Sequence, residues 1–210
     1  MYSNPVNIKL YSKWNKIKEV NKYFRSNSVG KCMKLIDDYY HSTNLFTASG
    51  WENYYLTPQR ENRLGEIIEK VTAIVKASEE DVYDYVFFRV LGQTYNGFVT
   101  ELNVMQEVQL EFPNLDMLKS TYDLDENYFT DFECYDKDTL VFGSQVKPIS
   151  YKFMSSPYQI KAKENHEVQR KSYISKYKVP HVMIYYDNGV IVDKQKLLEK
   201  INIILHFQIR

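Results

Sequence analysis

Apolar residues recur at helical spacing through the first half of the chain, and strand-like alternation enters only after residue 128. Trp14, Ile17, Val20 and Phe24 draw a first stripe, and residues 34–40 read as a second short helix. A loop over residues 42–50 follows, with Trp51, Tyr54 and Tyr55 expected to anchor it. Thr57 and Pro58 then give a helix start, threonine as cap and proline at the first helical position. Leu64, Ile67, Ile68, Val71, Ile74 and Val75 continue that helix as an apolar stripe. Ser78 ahead of Asp81 opens another, through Val82, Tyr85, Val86 and Val90, and Gly92 and Gly97 bracket an expected break.

A helix is predicted over residues 98–112, ending before Pro113. Glu101, Met105, Val108 and Phe112 fall on one of its faces, whereas Glu107, Glu111 and Asn103 fall on the opposite, polar one. A glutamate therefore shares the apolar stripe. Burying a lone carboxylate costs several kcal/mol, so Glu101 either meets a cation, a metal or a hydrogen-bonding network, or sits at an edge where it reaches solvent or a lysine.

The pattern changes at residues 129–135 and 139–149, which are rich in aromatic and branched side chains and are separated by Asp136, Lys137 and Asp138. This predicts a β-hairpin. Alternation puts Asp131 and Glu133 on one face with Phe132 and Cys134 on the other, and sets Gln145 and Lys147 opposite Val146. If the apolar faces are buried, the four polar residues converge. Ser156 and Pro157 next open a helix to about residue 177, with Tyr158, Ala162, Tyr173, Ile174 and Tyr177 as its expected inner residues. Residues 179–186 read as a strand, and Asp187, Asn188 and Gly189 as a hairpin turn into 190–192. Asp193 caps a last helix through Leu197, Leu198, Ile201 and Leu205.

Composition narrows the class. A chain of 210 residues is long enough for one substantial domain, read as a helical lobe over 1–95 and an α/β core over 96–210. Basic and acidic residues balance at 27 each, but their distribution is uneven. Residues 1–34 carry eight bases against Glu19, residues 79–138 carry fifteen acids against Arg89, Lys119 and Lys137, and residues 147–178 carry eight bases against Glu164 and Glu167. An acidic middle suits divalent cations and basic flanks suit a polyanion, although such runs are also the usual composition of solvated faces. Two cysteines far apart, Cys32 and Cys134, build neither a disulfide scaffold nor a zinc site. The N-terminus carries no signal-peptide pattern and no window reaches the roughly 18 apolar residues of a membrane span, so a soluble cytoplasmic protein without a membrane partner is expected.

The resulting order is a helix with an inward glutamate, a strand with Asp131, a strand with Gln145, Val146 and Lys147, a basic helix and a strand. This resembles the PD-(D/E)XK nuclease superfamily over about residues 97–186. The resemblance implies an α/β (α+β), restriction-endonuclease-like mixed central sheet flanked by helices, here with a helical N-terminal lobe. It also implies that Asp131 is the first acid, Glu101 the helix glutamate and Lys147 the lysine; Gln145 stands where a second acid is usual. More narrowly, FTDFE followed by QVKPISY is similar to the MjaI-like restriction endonuclease family, whose type member is associated with the sequence CTAG.

Phosphodiester hydrolysis needs an attacking water, a cation against the non-bridging oxygens and a proton for the leaving oxygen. Asp131 is an oxygen ligand suited to Mg2+, with Gln145 through its carbonyl, Glu101 and Glu133 as further expected ligands for one or two ions. Lys147 would orient the water and the phosphate. Gly143 is expected to admit a bulge or the close approach of DNA. Lys152, Ser155, Ser156, Gln159 and Lys163 follow the hairpin and are the candidates for contacts with bases or phosphates. The leading expectation is a type II restriction endonuclease that cuts double-stranded DNA at a short palindrome as a homodimer. A structure-selective repair or recombination nuclease, and a non-catalytic nucleic-acid-binding or interaction protein, are the alternatives.

Overall fold

A computed structural model describes residues 8–24 and 32–208. The chain forms two compact units that divide between Val99 and Thr100. Arg25 and Lys31 of the basic N-terminal run lie outside the described residues.

The first unit is helical: α1 (Ile8–Trp14), α2 (Lys18–Asn21) with a 3-10 turn at Lys22–Phe24, α3 (Cys32–Ser42), α4 (Ala48–Tyr55), α5 (Pro58–Val75) and α6 (Glu79–Phe87). The first stripe is thus divided between two short helices, yet Trp14 and Val20 are both buried. Helix α4 takes the end of the segment expected as loop. Thr47 caps it by accepting from the Gly50 amide, and Trp51 and Tyr55 are buried while Tyr54 is exposed. Ser78 caps α6 by accepting from the Asp81 amide, as its spacing predicts; Thr57 makes no side-chain cap bond, and Pro58 alone marks the start of α5.

The break expected between Gly92 and Gly97 is absent. A π-helical turn at Phe88–Gly92 runs directly into α7 (Gln93–Glu111). Burial of Val90, Leu91, Tyr95 and Phe98 holds this stretch helical, which outweighs the roughly 1 kcal/mol that each glycine costs in a helix.

The second unit, which α7 enters, is built on β1 (Asp116–Lys119), β2 (Phe132–Asp136), β3 (Thr139–Pro148), β4 (His181–Asp187) and β5 (Val190–Ile191), with α8 (Tyr122–Tyr128) between β1 and β2. Helix α9 (Pro157–Tyr177) joins β3 to β4 after a 3-10 turn at Ile149–Phe153, and α10 (Lys194–Gln208) ends the chain's described part. The strands lie in chain order. All neighbours are antiparallel except β3 and β4, whose parallel pairing is what the α9 crossover permits. The sheet is therefore mixed and helix-flanked, the restriction-endonuclease-like arrangement that the resemblance implied.

Alternation sorts the two faces. Met117, Phe132, Cys134, Phe142, Val146, Val182 and Ile184 pack with Val104 and Val108 of α7 and Leu197, Ile201 and Ile204 of α10. Each large side chain buried this way contributes about 1.5–3 kcal/mol. The opposite face carries Glu133, Gly143 and Gln145 and meets α9 through Tyr173. A Cβ on Gly143 would lie 2.4 Å from the Tyr173 ring, so the space left by this glycine is taken by a buried tyrosine rather than held open for DNA. Tyr158, expected inside, is 84 % exposed, and Tyr173 is the residue of α9 that is fully buried.

Candidate active site

Asp131 sits one residue ahead of β2 and its main chain is held on both sides. Its amide donates to the Ser144 carbonyl at 2.7 Å, and its carbonyl accepts from the Ser120 amide at 2.9 Å and from Lys119 Nζ at 3.0 Å. The carboxylate is almost wholly buried. Oδ2 accepts from Gln145 Nε2 at 2.5 Å and from the Val146 amide at 2.7 Å. Asp131 Oδ1 and Gln145 Oε1 are buried without a hydrogen-bond partner. Two orphaned oxygens on mutually bonded side chains are uncommon inside a protein, where polar atoms are nearly always satisfied.

Glu101 reaches the same neighbourhood from α7. Its Oε2 accepts from Lys119 Nζ at 3.1 Å, and the side chains are only 14 % and 5 % exposed, so Glu101 is paired and buried rather than turned out to solvent. Asp125 of α8 lies close enough to the Asp131 carboxyl for the two groups to repel one another when both are charged. Burial, then the charge of Asp131, pushes the Glu101 carboxyl up to about 8, with Lys119 opposing. The same two causes, in the same order, push Asp125 up to about 7. Burial pulls the Lys119 ammonium down, but Glu101, Asp131 and Asp125 outweigh it and hold it above the ordinary lysine value. Three crowded carboxyls around one buried lysine leave the cluster short of positive charge.

Lys147, half-buried on β3, lies with Nζ 4.9 Å from the centre of the Phe129 ring and within electrostatic reach of Glu101 and Asp125. The Phe129 ring stacks on His166 at 4.1 Å, and His166 Nδ1 is 3.0 Å from the Tyr151 hydroxyl. Phe129 itself closes α8 in the left-handed region at φ 55°.

The polar four of the hairpin do not all meet. Asp131 and Gln145 are joined directly, whereas the Glu133 carboxylate accepts from Tyr173 Oη at 2.7 Å and from Tyr135 Oη at 2.9 Å, one on each oxygen. Among the candidates for DNA contact, Ser156 and Gln159 form the capping box of α9, and Gln159 Oε1 also accepts from the Ser155 amide. Lys163 donates to the Lys152 and Met154 carbonyls at 3.0 Å each, and Lys152 lies over the Tyr185 ring at 4.1 Å. These side chains knit the segment between β3 and α9.

Lys119 and Asp125 are the members that sequence reading missed. The signal for Lys119 was its isolation, as one of three bases in a run of fifteen acids. Asp125 had none beyond that local acidity.

The donor set fits a hard cation. Asp131 Oδ1 and Gln145 Oε1 are free oxygens of the kind that Mg2+ takes, and Mg2+ ordinarily keeps several waters besides one or two protein ligands. No group of three Asp, Glu, His or Cys side chains among the described residues is arranged to hold a metal alone. The amide oxygen of Gln145 is what makes the pair adequate.

The family model described as MjaI restriction endonuclease matches residues 14–201. The chain belongs to the MjaI restriction endonuclease family. No curated protein and no solved structure matches it. Membership in the MjaI family implies DNA as substrate and its cleavage as the reaction. The match spans both units, so the helical first unit belongs to the family pattern as much as the sheet does. Among the described residues, no helix is long and apolar enough to cross a membrane.

Proposed function

We propose that this protein is a type II restriction endonuclease that hydrolyses double-stranded DNA at a short palindromic site, as a homodimer and with Mg2+. The observation that carries the metal reading is the pair of orphaned, buried oxygens on Asp131 and Gln145. Asp131 and Gln145 would hold the ion, and Glu101 stands near them, paired with Lys119. When bound, Mg2+ would neutralise the phosphate's non-bridging oxygens and acidify a water.

The remaining work falls to the chain. Val146 and Gln145 donate to Asp131 Oδ2 and so fix the carboxylate in one orientation, with Oδ1 left to bind. Lys147, two residues beyond Gln145 on the same strand, orients the attacking water and balances charge on the phosphate. The Phe129 ring, itself stacked on His166, lies under the Lys147 ammonium. The basic run over 147–178, including Lys152 and Lys163, grips the DNA backbone, and Ser155, Ser156 and Gln159 shape the loop that reaches it. A palindromic site is read by a two-fold protein, which is the reason for the homodimer.

The test is incubation of plasmid DNA with the purified protein, with Mg2+ or with EDTA, beside Asp131→Ala and Lys147→Ala. Discrete fragments that need the metal and vanish in both variants are expected. Inactivity of the wild type on duplex DNA of many sequences would sink the reading, and cutting of branched DNA alone would transfer it to a structure-selective nuclease.

A further inference from the structure

Metal-dependent nucleases need positive charge where the phosphate is cut, and the number of cations a site takes follows from the charge already in it. A bound cation would favour the ionised form of every nearby carboxyl, and the three carboxylates Glu101, Asp125 and Asp131 would then face two ammonium groups, Lys119 and Lys147, a formal −1 before the ion is counted. One divalent ion turns that into +1, a balance suited to a phosphodiester anion. Two would leave +3 in a site that is mostly out of water, which is costly unless more anions are present.

The position of Lys119 gives this count a structural basis. It is the last residue of β1, paired with Phe132 of β2, and its Nζ bridges Glu101 Oε2 at 3.1 Å and the Asp131 carbonyl at 3.0 Å. These contacts set a fixed positive charge between the helix glutamate and the main chain of the strand acid. Gln145 contributes in the same direction, since it removes the anionic charge that a second acid would bring. The Glu101 carboxylate is thereby occupied with an internal cation that also holds the Asp131 main chain, while Asp131 Oδ1 and Gln145 Oε1 remain for an external one.

We propose that the Lys119 ammonium takes the place of a second divalent cation, so that each chain binds a single metal ion. Lys119 acts here as a positioning residue. It fixes Glu101 and supplies built-in charge, without touching the ion. The inference rests on the metal-centre reading given above.

The experiment counts ions directly. Full-length protein is titrated with Mn2+ and free Mn2+ is followed by electron paramagnetic resonance, for wild type, Asp131→Ala, Lys119→Met and Lys119→Arg. One ion per chain in the wild type and in K119R, none in D131A and two in K119M is the expected result. Two ions in the wild type would overturn the role of Lys119 and leave the endonuclease reading intact. No ion in the wild type, indistinguishable from D131A, would instead overturn the metal centre itself. Near-UV circular dichroism checks the fold of K119M; a folded K119M that still takes one ion also defeats the proposal. Should K119M not fold, the wild-type count decides alone, one ion for and two against.

Discussion

Gln145 Nε2 stands 2.5 Å from Asp131 Oδ2, so the residue occupying the usual place of a second acid is hydrogen-bonded to the first one. An acid at 145 would set two carboxylates against each other in a site where both positions are essentially buried. Gln145→Glu is therefore expected to lose about 1–3 kcal/mol of stability at neutral pH, from the lost bond and the added repulsion. Added Mg2+ then stabilises the variant more than the wild type, because the ion screens the pair. Thermal melts of both proteins with and without Mg2+ check this. Equal melting temperatures and equal Mg2+ shifts would show that the amide does not hold Asp131.

Glu133 shares its strand face with Asp131, but two tyrosine hydroxyls occupy its oxygens. Glu133→Gln and Tyr173→Phe should each cost about 1–2 kcal/mol of stability, the range for a buried hydrogen bond. Cleavage by E133Q should stay within a few-fold of wild type under saturating Mg2+, whereas Asp131→Asn abolishes it. Denaturant melts and plasmid-cleavage rates measured on the same preparations separate the two effects. A folded E133Q with activity as low as D131N would return Glu133 to the ligand set.

The sheet was legible wherever branched and aromatic residues ran for more than about four positions. The hairpin of β2 and β3, the turn at Asn188 and Gly189, and the strand β4 all follow from such runs and from turn chemistry. Strand β1 was not legible, since its four residues contain a single buried position, Met117. Helix α8 was missed because none of its residues is buried, which leaves no stripe to read. Asp131 and Gln145 could be paired from the hairpin alone. Lys119 could not be joined to Glu101, because they lie 18 residues apart on elements whose packing is set by the shared hydrophobic core. Glu133 shows the limit of the alternation rule. A shared face fixes direction, but neighbours on another element, here Tyr173 of α9, decide what the side chain binds.

Gly143 tests the contact between β3 and α9. The Cβ of an alanine there would fall 2.4–2.6 Å from Cζ, Cε1 and Oη of Tyr173, a side chain that is fully buried and bonded to Glu133. The ring cannot give way without breaking that bond. Gly143→Ala is expected to destabilise by about 1–3 kcal/mol, the usual cost of overpacking, with part of the loss recovered in the Gly143→Ala, Tyr173→Leu double variant. Urea melts of the two single variants and the double variant measure the coupling. A G143A protein as stable as wild type would mean that α9 shifts freely over the sheet.

His181 sets how stability depends on acid. Its Nε2–H donates to the Phe129 carbonyl at 2.9 Å, while Nδ1 is buried without a partner, so the ring is neutral in the folded protein. Burial lowers its pKa to about 4; the Phe129 bond and Asp131 oppose this, and Arg170 and Lys200 add to it. An unfolded chain takes up this proton near the ordinary value of about 6.5, and the folded one only near 4, so the unfolded state binds more protons between those limits. Stability is therefore full above about pH 6.5, falls as the pH drops through that window and loses up to about 3 kcal/mol by its lower end. His181→Gln keeps a donor at the reach of Nε2 but does not titrate. Melts from pH 7 to pH 4 should give a shallower decline for H181Q than for the wild type, while equal slopes would place the acid sensitivity elsewhere.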